Sequence, residues 1–294
     1  MTTTIVQAGN GVTESAPAKI NLFLRLTGKR DDGYHLLDSL VGFTEFGDSL
    51  TAEPAETLSL TIDGPFSASL SVEPDNLVLR AARALQAATG VQAGAHLTLT
   101  KRLPIASGIG GGSSDAAATL RALCRLWSLS IDQCALEAIG LPLGADIPVC
   151  IEARPARMTG VGEQVERLTG LPEVALLLIN PGVALATGPV FKARSGAFTS
   201  PFGALPTLAN AASLAELVRQ AGNDLTEPAK ALCPPVAKVL VALEAEPDCL
   251  AAAMSGSGAT CFGVFANLTA AQSAAARLAK TESWWVCATL LRSN

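Results

Sequence analysis

The clearest regularity in the chain is a period of two over residues 18–27, AKINLFLRLT. Ala18, Ile20, Leu22, Leu24 and Leu26 share one face, and Lys19, Asn21, Phe23 and Arg25 share the other. Such alternation predicts a β-strand with one buried side. The DDG at 31–33 signals a turn just after it. LSLTI at 58–62 and HLTLTK at 96–101 read as further strands, separated by a helix over roughly 75–89. A second helix is expected from near Ser113 through the alanine-rich DAAATLRALCRLW, and a short apolar strand, ALLLIN, over 175–180. The stretch 187–207, rich in Gly, Pro and Ser, reads as a mobile connection. Helices near 213–221 and 234–246, a strand at 260–265, a helix near 269–279 and a strand at 284–291 complete the pattern. Mixed helices and strands throughout predict an α+β protein in two lobes, with the boundary near 165 giving domains 1–165 and 166–294.

Composition narrows the function classes. With 294 residues, 49% hydrophobic and only 4% aromatic, the core must be built from Ala, Leu, Val and Ile. A net charge of -5 supplies no basic footprint for nucleic acid and no polybasic patch for a membrane. Apolar runs are broken by a charge, Pro or Gly before about 18 residues, too short to span a bilayer. The first fifteen residues, MTTTIVQAGNGVTES, show neither the basic nor the apolar region of a secretory leader. The seven cysteines follow no C-x-x-C spacing and the chain has two histidines, which disfavours a disulfide framework or a zinc site. Reduced, buried thiols in a cytoplasmic protein are the expectation.

The strongest chemical signal is PIASGIGGGSSDAA, residues 104–117. A strand ends in Lys101-Arg102, a loop with four glycines follows, and a helix begins at two serines and an aspartate. Glycines let backbone amides approach a phosphate, and a helix start adds free N–H groups with the positive end of the helix dipole. Alone, the same run could be a tight turn with a Ser or Asp cap. It is not a Walker A loop, because Ser113 stands where the lysine belongs. It breaks the dinucleotide-binding G-x-G-x-x-G at Ser113, and no strand follows to supply the acidic residue, so a nicotinamide dehydrogenase is a weak alternative.

This run resembles the second motif of the GHMP kinases (galactokinase, homoserine kinase, mevalonate kinase and relatives). SAPAKINLFL at 15–24 resembles the family's first motif, and AAMSGSGATCFGVF at 252–265 its third. The resemblance implies a fold of two α+β lobes with the active site in the cleft between them, and ATP with magnesium as cofactors. GYH at 33–35, LGADIPV at 143–149 and GNDL at 222–225 resemble one member, whose acceptor is a cytidine-diphosphate-linked polyol. Homoserine or mevalonate kinase activity is the alternative within the family, and a non-catalytic sensor the alternative outside it.

The resemblance also distributes roles. Asp146 would accept the proton of the acceptor hydroxyl, although without the family match an Asp lying between Gly144 and Pro148 is more simply a turn or cap residue. Lys19 and Asn21 point the same way from one strand. Alone they could be a solvated polar face; by resemblance Lys19 partners Asp146 and Asn21 binds the acceptor. Arg25 and Lys29 read as surface charges. Asn76, Pro104, Ala106, Gly108, Gly110, Gly111, Gly112, Ser113 and Ser114 would hold ATP, with Ser114 also touching magnesium. Tyr34 and Phe191 would sandwich the cytosine and His35 would meet its edge. Thr187, Asn223, Asp224, Ser255 and Gly256 complete the acceptor-side residues. His96, at the head of a strand, reads as structural. The expected partner is a small-molecule substrate, with no nucleic acid, no membrane, and the chain a monomer or weak homodimer.

Overall fold

The computed structural model describes residues 11–70 and 75–293. The leader reading above rests mainly on residues 1–10, which lie outside the described residues. The alternating segment is the middle of a longer strand, β1 (Val12–Lys29), and a turn leads to β2 (His35–Ala55). Next come β3 (Ser59–Asp63), α1 (Leu77–Thr89), β4 (Gly94–Thr100), α2 (Gly111–Leu126), α3 (Gln133–Gly140) and α4 (Ile147–Glu152). Then follow β5 (Ala156–Gly160), β6 (Gln164–Arg167), β7 (Ala175–Asn180), α5 (Thr187–Ala193), α6 (Ala211–Ala221) and α7 (Thr226–Leu232). The last elements are α8 (Pro235–Glu244), β8 (Ala251–Met254), β9 (Cys261–Phe265), α9 (Leu268–Thr281) and β10 (Trp285–Leu290). Helix and strand mix as expected for α+β. No helix among the described residues is long and apolar enough to cross a membrane.

Two compact units divide the chain. Among the described residues, the first takes 11–16, 48–70, 75–103 and 112–151; the second takes 17–47, 104–111 and 152–293. The position near 165 falls within the last segment of the second unit.

In the first unit the far half of β2 pairs antiparallel with β4, Ser49 facing Thr100, and β4 pairs parallel with β3. His96 lies on β4 with its ring between the hydroxyls of Ser59 (2.8 Å) and Thr61 (3.3 Å), a structural role as expected. α1 starts where Asn76 Oδ1 accepts from the Val78 amide at 3.0 Å, and it stops at Gly90, whose φ of 73° suits a left-handed cap. Buried Ala, Leu and Thr residues on α2 fill the space that scarce aromatics leave.

In the second unit the near half of β2 pairs with β5, and β5 with β6. A separate antiparallel sheet has the order β10-β7-β9-β8. Leu177 and Ile179 of β7, Cys261 and Phe265 of β9, Val236, Val239 and Leu243 of α8, and Ala271, Ala274 and Leu278 of α9 pack in one apolar cluster.

Three expectations need correction. The stretch 187–207 is no loose connection: it begins with α5 and is then tied to β1 and β2. The Thr199 amide donates to Leu26 O (2.9 Å), the Phe202 amide donates to Asp38 (2.7 Å), and the Phe202 ring lies 5.4 Å from Phe23. Arg25 is no free surface charge either. Its guanidinium donates to the carbonyls of Ser200, Gln220 and Ala221 and stands 4.8 Å over the Phe202 ring. Among the thiols, Cys150, Cys233 and Cys261 are buried, but Cys134 is exposed.

Candidate active site

Both faces of β1 are buried from Ala16 to Leu24. Lys19 is only 3% exposed and Asn21 only 6%, so they are not a solvated polar face. A buried ammonium demands compensation, because desolvation penalises the charged form. The Lys19 amide donates to Ile109 O at 2.9 Å, which ties β1 to the glycine loop by backbone. A Cβ on Gly110 would meet the Lys19 side chain at 2.9 Å, and Gly110 sits at φ 63°. Gly110 is therefore the residue type that lets the lysine lie against the loop.

The third glycine motif meets the second backbone to backbone. A Cβ on Gly108 (φ 74°) would stand 2.5 Å from Ser255 O, and one on Gly256 (φ 54°) would stand 2.6 Å from Gly108 O. Ser255 Oγ donates to Gly108 O at 2.9 Å and accepts from the Asn21 amide at 3.1 Å. The Thr260 amide donates to Ser107 O, and the Leu185 amide to Ala106 O. Within the second unit, all three motifs read from the sequence thus converge on residues 104–111.

The neighbouring polar residues have defined partners. Asn21 Nδ2 donates to Ser39 Oγ at 2.8 Å, and Ser39 donates to Phe23 O. Thr187 and Ser257 share a hydroxyl contact of 3.0 Å. Asn223 Nδ2 donates to Met254 O and Gly256 O, which braces the 254–256 turn. Asp224 Oδ2 accepts from the Leu26 amide at 2.7 Å. GNDL therefore fastens the third glycine motif and β1.

The ring that faces Phe191 is His35, at 5.3 Å, while Tyr34 is 65% exposed. Phe198 joins 6.2 Å from His35, with the Arg194 guanidinium 4.6 Å over the Phe198 ring. Sequence reasoning passed over both Arg194 and Phe198, which lie within a composition that suggests only a linker. Burial first, then the Lys29 and Arg194 charges, hold the His35 pKa below its ordinary value. The ring is then neutral at pH 7, with one donor nitrogen and one acceptor nitrogen to offer.

In the first unit α2 carries Ser113 and Ser114 in its opening turn, where unpaired amides gather. Ser114 is buried and its hydroxyl donates to Cys150 Sγ at 3.5 Å. Asp146 is half-buried immediately before α4, whose buried Ile147 to Ile151 anchor it, and its carbonyl accepts from the Cys150 amide. Asn76 caps α1. Among the described residues no group of three His, Cys, Asp or Glu side chains is arranged to hold a metal.

One feature of this unit escaped the sequence. Lys101 Nζ donates to Asp48 Oδ2 (2.5 Å) and Asp115 Oδ2 (2.7 Å), all three side chains being almost fully buried. Asp48 comes from β2, 53 positions before Lys101, and no local pattern announces that pairing.

Comparisons with known proteins show the family. Residues 76–154 match the family profile described as GHMP kinases N terminal domain, and residues 204–283 match GHMP kinases C terminal. A relative named 4-diphosphocytidyl-2-C-methyl-D-erythritol kinase from Paramagnetospirillum magneticum is 52% identical over 95% of this chain and 98% of its own. One of the same name from Rhodospirillum rubrum is 49% identical over 97% of this chain and 94% of its own. A crystal structure of 4-(cytidine 5'-diphospho)-2C-methyl-D-erythritol kinase superposes with a TM-score of 0.80 at 33% identity, covering 96% of this chain and 100% of that one. Homoserine kinase from Cytophaga hutchinsonii, at 16% identity and a TM-score of 0.72 over 100% of this chain and 98% of its own, shares the fold alone.

Proposed function

The chain belongs to the GHMP kinase family of ATP-dependent small-molecule kinases, and from that premise we propose that it phosphorylates 4-diphosphocytidyl-2-C-methyl-D-erythritol, giving the 2-phosphate and ADP. The observation that carries the acceptor is identity near one half, along nearly the whole chain, to relatives bearing that name. The reaction belongs to non-mevalonate isoprenoid biosynthesis. The enzyme works in the cytoplasm on a small molecule, without nucleic acid or membrane, as a monomer or weak homodimer.

Phosphoryl transfer asks for positioning, charge neutralisation and a route for the acceptor proton. In this reading residues 104–114 and the opening amides of α2 receive the ATP phosphates, with Asn76 beside the nucleotide. Asp146 accepts the proton of the acceptor hydroxyl, with Lys19 as its cationic partner in the family's pattern. Asn21, Thr187, Ser255 and Gly256 line the acceptor side, braced by Asn223 and Asp224. The base rests on Phe191 and Tyr34, with neutral His35 at its edge. Cytosine shows an amino donor beside an N3 acceptor, an edge that one ring nitrogen of His35 together with nearby backbone groups would meet.

Magnesium fits this chain as a companion of the nucleotide, since it retains water and takes few protein ligands. Ser114 donates its proton to Cys150, which leaves the hydroxyl lone pairs free for such a cation. When bound, the ion neutralises phosphate charge.

Asp146→Asn tests the assignment. It should lower kcat by about two to four orders of magnitude, the range for a positioned base, with ADP affinity by calorimetry within about threefold of wild type. A variant keeping more than about a third of kcat would remove Asp146 from that role.

A further inference from the structure

Lys101 is unusually well embedded. Its amide donates to Asp63 O (2.8 Å), and its carbonyl accepts from the Phe66 amide (3.2 Å). Gly64, at φ 91°, passes so near that a Cβ there would stand 2.6 Å from Lys101 O. Its side chain bridges two carboxylates. Asp48 Oδ1 also accepts from the Arg102 and Leu103 amides, at 2.5 and 2.8 Å. Asp115, one position after Ser114 on α2, takes the other Lys101 contact through Oδ2, while its Oδ1 is buried without a partner. One buried chain of contacts therefore links the residues entering the glycine loop, 101–103, to the helix leaving it, at 115.

Stability alone does not account for this arrangement. Apolar side chains of the same volume often hold a core as well as a buried ion set, or better, because desolvating the charges is costly. Ions supply direction and separation instead: charge-assisted hydrogen bonds are short and strong, so the ammonium fixes where each carboxylate sits. A loop that cradles phosphates needs both of its ends fixed in that way.

We propose that Asp115, acting through Lys101 and Asp48, is a positioning residue for ATP: the three side chains clamp the two stems of the glycine loop and so set where the opening amides of α2 meet the phosphates. This rests on the reading of residues 104–114 as the phosphate site. Asp115 touches no phosphate in this scheme and takes no part in the proton transfer.

The test compares Asp115→Ala with Asp115→Asn. Alanine cuts the tie to α2 but leaves Lys101 and Asp48 as a balanced pair, so the fold is retained. Asparagine keeps an oxygen that accepts from Lys101. Asp115→Ala should raise the KM for ATP and the Kd for ADP at least about fivefold, with the acceptor KM within about twofold, since small displacements of positioning groups cost up to about a hundredfold. Asp115→Asn should return both nucleotide constants to within about twofold of wild type. All are measured well below the melting temperatures of the variants. If Asp115→Ala lowers the melting temperature but leaves ATP and ADP constants unchanged, or if Asn performs no better than Ala, the clamp is overturned. Gly108→Ala, run in parallel, separates the two readings. If it raises the ATP KM while Asp115→Ala does not, the clamp alone fails. If neither variant raises it, the loop assignment fails as well.

Discussion

The glycine loop is held in two physically opposite ways. In the second unit, residues 104–111 are fixed by the absence of side chains: Gly108 and Gly256 press backbone on backbone, and Gly110 leaves room for Lys19. In the first unit, the loop's stems are fixed by buried charge, through Asp48, Lys101 and Asp115. The first device tolerates no added atom. The second tolerates no lost cation. A loop that must present bare amides to a polyanion needs both, because glycine removes steric cover but contributes no rigidity.

The charged side should break hardest. Lys101→Met leaves two buried carboxylates without their cation, and removing one partner of a buried ion set costs roughly 3–5 kcal/mol. Chemical denaturation should show it as a lowered midpoint at unchanged slope. A variant within about 1 kcal/mol of wild type would mean the carboxylates are solvated or protonated at no cost.

The glycine side should come next. Gly108→Ala forces a Cβ to within 2.5 Å of a backbone carbonyl at a left-handed φ. Overpacking costs roughly 1–3 kcal/mol and the strained backbone about 1 kcal/mol more. The ATP KM should rise with it. A variant that binds ADP as wild type does would show that the loop can relax away from Ser255.

A smaller effect depends on pH. Burial first, and then the Asp48 charge, push the Asp115 carboxyl up to about 7 against the pull of Lys101. A carboxyl with its folded pKa raised favours the folded state most below its unfolded value near 4, and that contribution is lost as pH rises through about 7. Asp48 and Lys101 are the charged groups facing it. Relative to wild type, Asp115→Asn should therefore gain stability between pH 5 and 8, on the order of 1–2 kcal/mol given 1.36 kcal/mol per pKa unit and a shared titration. Parallel stability curves for the two proteins would contradict the raised pKa.

The smallest change sharpens the contrast among glycines that look alike in sequence. At Gly112 a Cβ would find only Leu77 Cδ2, at 3.9 Å, and the residue lies in the first turn of α2. Gly112→Ala should be neutral or stabilising by up to about 1 kcal/mol. Melting curves check it, and a loss comparable to that of Gly108→Ala would erase the distinction.

These contrasts also show how far the sequence could be read. The period of two disclosed β1, and four glycines before an alanine-rich run disclosed the loop and α2, because both signals are local. β2 was not among the predicted elements. Its Asp38, Gly42, Asp48 and Pro54 interrupt any alternation, and the two aspartates make sense only through distant partners, Arg157 on Asp38 and Lys101 on Asp48. Alternation marked Lys19 and Asn21 as polar but could not show them buried, since burial on the second face depends on what packs there. The 187–207 stretch carries linker composition, yet Phe202 and Arg25 fasten it to β1. The aromatic residues expected around the base were legible singly; that His35 rather than Tyr34 faces Phe191 was not.

The central claim is the reaction itself, and transfer of label from γ-labelled ATP tests it most directly. Offered 4-diphosphocytidyl-2-C-methyl-D-erythritol, its uridine counterpart, homoserine and mevalonate, the protein should label the cytidine compound with a kcat/KM at least about tenfold above the uridine one, because a mispaired base edge leaves buried polar groups unsatisfied. Homoserine and mevalonate should acquire no comparable label. Equal use of the two nucleotides, or faster labelling of homoserine or mevalonate, would contradict the proposed acceptor and leave only membership of the kinase family standing.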